Sequence, residues 1–193
     1  FIISDTDFLE IDNITWFYIG DFDNDNDLDV VTQYDENPSY ISYYQNDNGN
    51  FINLNLLEND NGSYVMSQQG SIPTFCDIDN DQDLDFFSVS LVGTVSFYEN
   101  IGINNNKPIY NFITSDWEDI IVIGEGRHGS NAINFIDMDN DNDFDLVWGD
   151  YYQSSIYVIW NEGNATTPNM DNINISTSFP EDKKSSTGLL SVP

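Results

Sequence analysis

The chain has 193 residues, with thirty-four Asp and Glu, four Lys and Arg and one His, giving a formal net charge of −30. So few cations cannot neutralise a run of phosphates or meet an anionic bilayer, and no apolar run approaches the roughly 18–20 residues that span a membrane, so neither nucleic acid nor membrane insertion is expected. Disorder, the usual consequence of such acidity, is excluded by 39% hydrophobic and 15% aromatic residues, enough for the core of one domain or part of a larger one.

The chain opens on Phe1 without an initiator Met or a signal peptide, which reads as a processed terminus or one cut from a longer chain. The first apolar segment, Thr15-Trp16-Phe17-Tyr18-Ile19, predicts a short strand. It runs into an acidic box, Asp21-Phe22-Asp23-Asn24-Asp25-Asn26-Asp27-Leu28-Asp29. Val30-Val31 follows as a second strand, Ile41 to Asn46 as a third, a turn at Gly49, and Phe51 to Leu57 as a fourth. The same order then recurs. Pro73-Thr74-Phe75-Cys76 leads into Asp77-Ile78-Asp79-Asn80-Asp81-Gln82-Asp83-Leu84-Asp85, then Phe86-Phe87, Val95 to Asn100, Gly102, and Tyr110 to Ile113. Ala132 to Ile136 leads into Asp137-Met138-Asp139-Asn140-Asp141-Asn142-Asp143-Phe144-Asp145, then Leu146-Val147-Trp148, Ile156 to Asn161, and Gly163. The boxes start 56 and 60 residues apart and hold fifteen of the twenty-six Asp.

β-branched and aromatic residues dominate the segments between boxes, Asp and Asn disfavour helix, and no segment has a helical period, so the chain is read as all-β. A four-stranded unit of this size cannot bury both faces alone. Units of this kind pack around an axis as the blades of a β-propeller, and three blades are present: residues 12–60, 70–115 and 130–178. Ser191-Val192-Pro193 repeats the landmark Ser71-Ile72-Pro73, so 179–193 reads as the start of a next blade in a larger, for example seven-bladed, array.

Carboxylates at alternating positions converge only around a cation. Ca²⁺ takes 6–8 oxygens at roughly 2.3–2.6 Å in a flexible shell, whereas Zn²⁺ wants the His and Cys that the boxes lack. An EF-hand is excluded, because position 12 is Thr32, Ser88 or Trp148 instead of Glu and the flanks are strands. The apolar residue at position 8 (Leu28, Leu84, Phe144) is expected to tuck into the blade core and pin the loop.

The unit resembles the FG-GAP/VCBS-type repeat of integrin-α-like calcium-binding β-propellers, whose loop reads Asp-x-Asp-x-Asp-Gly-x-x-Asp. The resemblance spans nearly the whole chain in three matches. It implies side-chain ligands from Asp21, Asp23, Asp25 and Asp29 with the carbonyl of Asp27. The second site would use Asp77, Asp79, Asp81, Asp85 and the carbonyl of Asp83, and the third Asp137, Asp139, Asp141, Asp145 and the carbonyl of Asp143. Position 6, usually Gly, is Asn26, Gln82 or Asn142; Gln tolerates a left-handed backbone less well than Asn, so the second site is expected to be the weakest. About three structural Ca²⁺, at +2 each, would move the net charge from −30 to about −24.

Other motifs weigh less. Gly124-Glu125-Gly126-Arg127-His128-Gly129 spells a dinucleotide fingerprint, but no helix follows and Glu125 would repel phosphate, so it is read as a turn. His128 is the only His and is read as an exposed loop residue; Cys76, in an apolar run, is read as a buried inert thiol. Neither supports a catalytic triad, no carboxylate pair stands out, and no enzymatic activity is expected. Trp16, Tyr43, Tyr44, Tyr98, Trp148, Tyr151, Tyr152 and Trp160 are read as packing before sugar binding, and the sequons at Asn13, Asn61, Asn164 and Asn174 as permissive. The expected protein is a secreted or cell-surface module for adhesion, surface assembly or protein–protein contact, since sites of this kind fill where Ca²⁺ is millimolar. Its partners would be another protein or the remaining blades. A glycan-binding propeller, or the accessory module of a carbohydrate-active enzyme, is the alternative.

Overall fold

The computed structural model describes residues 9, 14–122, 131–151 and 155–179, the side chains of 172–174 and 178 excepted. The Gly124–Gly129 motif with His128, Tyr152, Asn13 and residues 180–193 lie outside the described residues, as does the side chain of Asn174.

The described chain is all-β, with three sheets and one 3-10 turn at Trp117–Asp119. The first sheet takes β1 (Phe17–Gly20), β2 (Asp29–Gln33), β3 (Ile41–Asp47) and β4 (Asn50–Leu56) in sequential antiparallel order. The second adds β5 (Glu58–Asn59) to β6 (Thr74–Cys76), β7 (Asp85–Val89), β8 (Val95–Asn104) and β9 (Lys107–Thr114). The third is β10 (Asn131–Ile136), β11 (Asp145–Asp150), β12 (Ile156–Asn161) and β13 (Met170–Phe179).

Tight turns set the registers. At the β3–β4 hairpin Asn48 and Gly49 have φ of +51° and +90°, and at β8–β9 Asn105 and Asn106 have +53° and +59°. Both central residues being left-handed matches the right-handed twist of a two-residue hairpin, which is why Asn and Gly stand there.

Strand β5 departs from the simple repeat. It leaves the first sheet and pairs in parallel with β9 of the second, Glu58 opposite Ile109. Lys107 fastens this crossing: its ammonium donates to the Leu56 carbonyl at 3.0 Å and to Glu58 Oε1 at 2.9 Å, the only ion pair among the described residues.

Two apolar seams join the sheets. Phe22, Tyr43, Leu57 and Tyr18 of the first meet Phe75, Phe86 and Tyr110 of the second, with Phe22 and Phe75 edge to face at 4.9 Å. Phe87, Val89 and Val95 of the second sheet, with Trp117 after it, meet Phe135, Leu146 and Trp148 of the third, Phe87 and Phe135 lying 4.6 Å apart. In both seams a β1-type strand contributes the aromatic that docks onto the preceding sheet. The first sheet carries Ile19 at the position of Phe75 and Phe135. Ile19 is 51% exposed against 2% and 7% for those two, and Phe17 beside it is 61% exposed.

The position-8 expectation needs correction. Leu84 packs against the first seam, but Leu28 and Phe144 are exposed, and it is position 2 (Phe22, Ile78) that is buried. The reason is local. Leu84 reaches over Gly20 of the first sheet so closely that a Cβ there would lie 2.8 Å from its Cδ1. The residue matching Gly20 in the second sheet is Cys76, not a glycine, and Leu28 has no described sheet before it.

Candidate metal centres

Each acidic box connects the first two strands of its sheet and has the same backbone path. Positions 4 and 6 are left-handed in all three: Asn24 and Asn26, Asn80 and Gln82, Asn140 and Asn142. Gln82, at φ +78°, matches Asn142 at +77°, so Gln does not distort the second loop; its cost is backbone strain.

The first carboxylate of each box folds the loop over itself. Asp21 accepts the Asp25 and Asn26 amides at 3.2 and 3.0 Å, Asp77 those of Asp81 and Gln82 at 2.9 and 3.0 Å, and Asp137 those of Asp141 and Asn142, both at 3.2 Å. Position 5 accepts the amide of position 7 in each box.

The last carboxylate ties the loop to the sheet. Asp29 is fully buried and accepts the Phe22 amide, the Tyr43 hydroxyl and the Asn46 amide at 2.9, 3.0 and 2.8 Å. Asp145 accepts the Met138 and Asn161 amides at 3.0 and 2.9 Å, and Asp85 the Asn100 amide at 2.8 Å. The equivalent Asn of the third strand in every repeat (Asn46, Asn100, Asn161) therefore docks on position 9.

Ligand atoms of Asp21, Asp23 and Asp29 lie within 4.8 Å of one another, as do those of Asp77, Asp79 and Asp81 and those of Asp137, Asp139 and Asp141. Positions 1 and 3 converge in all three loops. The third member is position 9 in the first loop and position 5 in the others, so Asp25, Asp85 and Asp145 stand outside these tightest groups. At position 7 Asp27 accepts the Asn48 amide, while Asp83 and Asp143 sit beside Asp81 and Asp141. These two side chains escaped sequence reasoning, which assigned only their carbonyls; no signal in the spacing marks a position-7 side chain.

A test of fit comes from the carboxylate oxygens themselves. Asp23 Oδ1, Asp79 Oδ1, Asp83 Oδ1, Asp85 Oδ2 and Asp143 Oδ1 are buried with no hydrogen-bond donor. Acceptor-only oxygens crowded in this way fit a hard cation or a proton. Electrostatics agrees. Burial first, then neighbouring Asp charge, pushes Asp23 to about 6, Asp83 to about 7 and Asp143 to about 6, and raises Asp29, Asp79 and Asp145. Asp85 rises to about 8, mainly by burial: it keeps one donor, the Asn100 amide, where Asp145 has two and Asp29 three. Cys76 is buried and its thiol is pushed up by that burial, in keeping with an inert group.

These shifts have a sign in stability. A carboxylate whose folded pKa lies above its unfolded value of about 4 stabilises the fold below that value, and the contribution is lost as pH rises through the folded value. The metal-stripped chain should therefore melt higher at pH 5 than at pH 8, by about 5 °C or more, with relief of the net −30 charge acting in the same direction. Melting across pH 5–8.5 in metal-free buffer checks this, and a flat or rising profile contradicts it. Saturating Ca²⁺ should flatten or invert the slope, since protons then compete with the ion.

Most of the aromatics singled out in the sequence are packing: Trp16, Tyr43, Tyr98 and Trp148 are buried, and Tyr44, Tyr151 and Trp160 are half-buried. Asn61 and Asn164 are exposed. No family model, curated protein or solved structure matches the chain.

Proposed function

We propose that the chain is part of a β-propeller, each sheet a blade, in which three structural Ca²⁺ stiffen the loops between the first two strands of each blade. The observation that carries the reading is the loop built three times with the same position-1 and position-5 hydrogen bonds and donorless buried carboxylate oxygens in each. The repeated seam supports the propeller: Phe75 and Phe135 dock alike on the sheet before them, and Phe17 and Ile19 offer the same face to a further blade. Ca²⁺ is favoured over Mg²⁺ because several carboxylates and a flexible loop can supply 6–8 oxygens, and over Zn²⁺ because no His or Cys is present in the boxes.

The module is non-enzymatic and works at the cell surface or in the extracellular space, where millimolar Ca²⁺ fills sites of modest affinity. It serves adhesion, surface assembly or protein contact, presenting a rigid and strongly acidic surface. Metal-stripped protein titrated with Ca²⁺ in a calorimeter, with the bound metal counted by mass spectrometry, tests the reading. About three ions per chain are expected; none bound at millimolar Ca²⁺ would remove its basis.

A further inference from the structure

The two seams differ most in bulk at one pair of positions. In the third sheet Trp148 stands opposite Tyr157, and both side chains are buried in the seam with the second sheet. The matching pair in the second sheet is Ser88 opposite Ser96. Two large aromatics are replaced by two hydroxymethyl groups, and the space between the first and second sheets opens into a cavity of about 310 Å³.

This cavity is chemically distinct from the rest of the surface. Its walls carry the hydroxyls of Ser39, Ser88, Ser90 and Ser96 and the amide of Gln68, together with Tyr98 and Phe112. None of its lining residues is charged, in a chain of net charge −30. Tyr98 and Phe112 form an edge-to-face pair at 4.9 Å, Phe112 nearly half exposed. Ser88 lies three residues along β7 from Asp85, so the cavity opens away from the acidic loop by about 10 Å.

We infer that this cavity is a binding site for a neutral saccharide, one ring in size. A sugar presents hydroxyls that both donate and accept, which Ser and Gln satisfy in either sense, and apolar C–H faces that lie against aromatic rings. The volume is at the lower end of the range for small-molecule sites. Acidic sugars are disfavoured by the field of the whole chain, and cationic ligands find no carboxylate in the walls. The inference stands on the packing of two sheets and is independent of whether the acidic loops hold Ca²⁺.

Saturation-transfer NMR on the whole chain tests it, with glucose, galactose, fucose and N-acetylglucosamine at millimolar concentration and sialic acid as the charged comparison. At least one neutral sugar should receive magnetisation, and sialic acid none. The double variant Ser88→Trp, Ser96→Tyr installs the pair that the third sheet already accommodates and should abolish transfer while melting at or above the parent. Gln68→Ala and Phe112→Ala leave the space open and should each weaken binding about tenfold, which keeps the test decisive where the double variant fails to fold. No transfer to any neutral sugar, equal transfer to sialic acid, or binding retained in the folded double variant would overturn the site and leave a water-filled gap.

Discussion

Metal-stripped protein should gain about 15 °C or more in melting temperature on addition of 10 mM Ca²⁺. For sites with dissociation constants of about 10⁻⁴ M that concentration is about 100-fold excess, worth about 2.7 kcal/mol per site. Three independent sites sum to about 8 kcal/mol, and a chain of this size shifts by about 2–4 °C per kcal/mol. The gain is large because the stripped state is penalised: Asp85, Asp83, Asp23 and Asp143 all hold buried oxygens without donors among like charges. Differential scanning calorimetry in Ca²⁺ and in chelator measures it. Identical melts in the two would mean that the boxes are solvated turns, and the extracellular placement would fall with them.

Position 9 of the first loop and positions 1 and 5 of the second should respond differently to substitution. Asp29→Ala strands three donors, the Phe22 and Asn46 amides and the Tyr43 hydroxyl, at a fully buried site. At about 1–3 kcal/mol for each unpaired group, a loss of about 4 kcal/mol is expected in stripped protein, and a larger one in Ca²⁺, because Asp29 also belongs to the first acidic group. Asp77→Ala with Asp81→Ala removes acceptors whose partners are exposed amides that water can satisfy. In stripped protein this pair should change stability by less than about 0.5 kcal/mol. In Ca²⁺ it should forfeit one site, about 2.7 kcal/mol of the metal-dependent gain. Urea unfolding of both variants in both states reads the contrast directly. Equal losses for Asp77→Ala/Asp81→Ala with and without Ca²⁺ would show the carboxylates to be turn formers and nothing more.

Strand composition, Asn-Gly and Asn-Asn turns, and the recurrence of Asp at positions 1, 3, 5, 7 and 9 were legible without coordinates, because each is a local property of the chain. The all-β class and the convergence of positions 1 and 3 in every box follow from them. The inward turn of Asp83 and Asp143 was not legible, because alternation alone does not say which of five carboxylates in a doubly left-handed loop points in. Nor was the fate of position 8, since Leu28, Leu84 and Phe144 look equivalent in sequence. Gly20, one sheet back in space, makes room for Leu84 alone.

Local spacing thus determined the strands, the turns and the identity of the acidic loops. Only tertiary packing decided that β5 crosses to the second sheet, that Lys107 is spent on Glu58, and that Asp85 is pushed further up than Asp23. The cavity at Ser88 and Ser96 belongs to the same class. Burial, charge and empty volume depend on what a neighbouring sheet places opposite a residue, and that neighbour lies about sixty residues away along the chain.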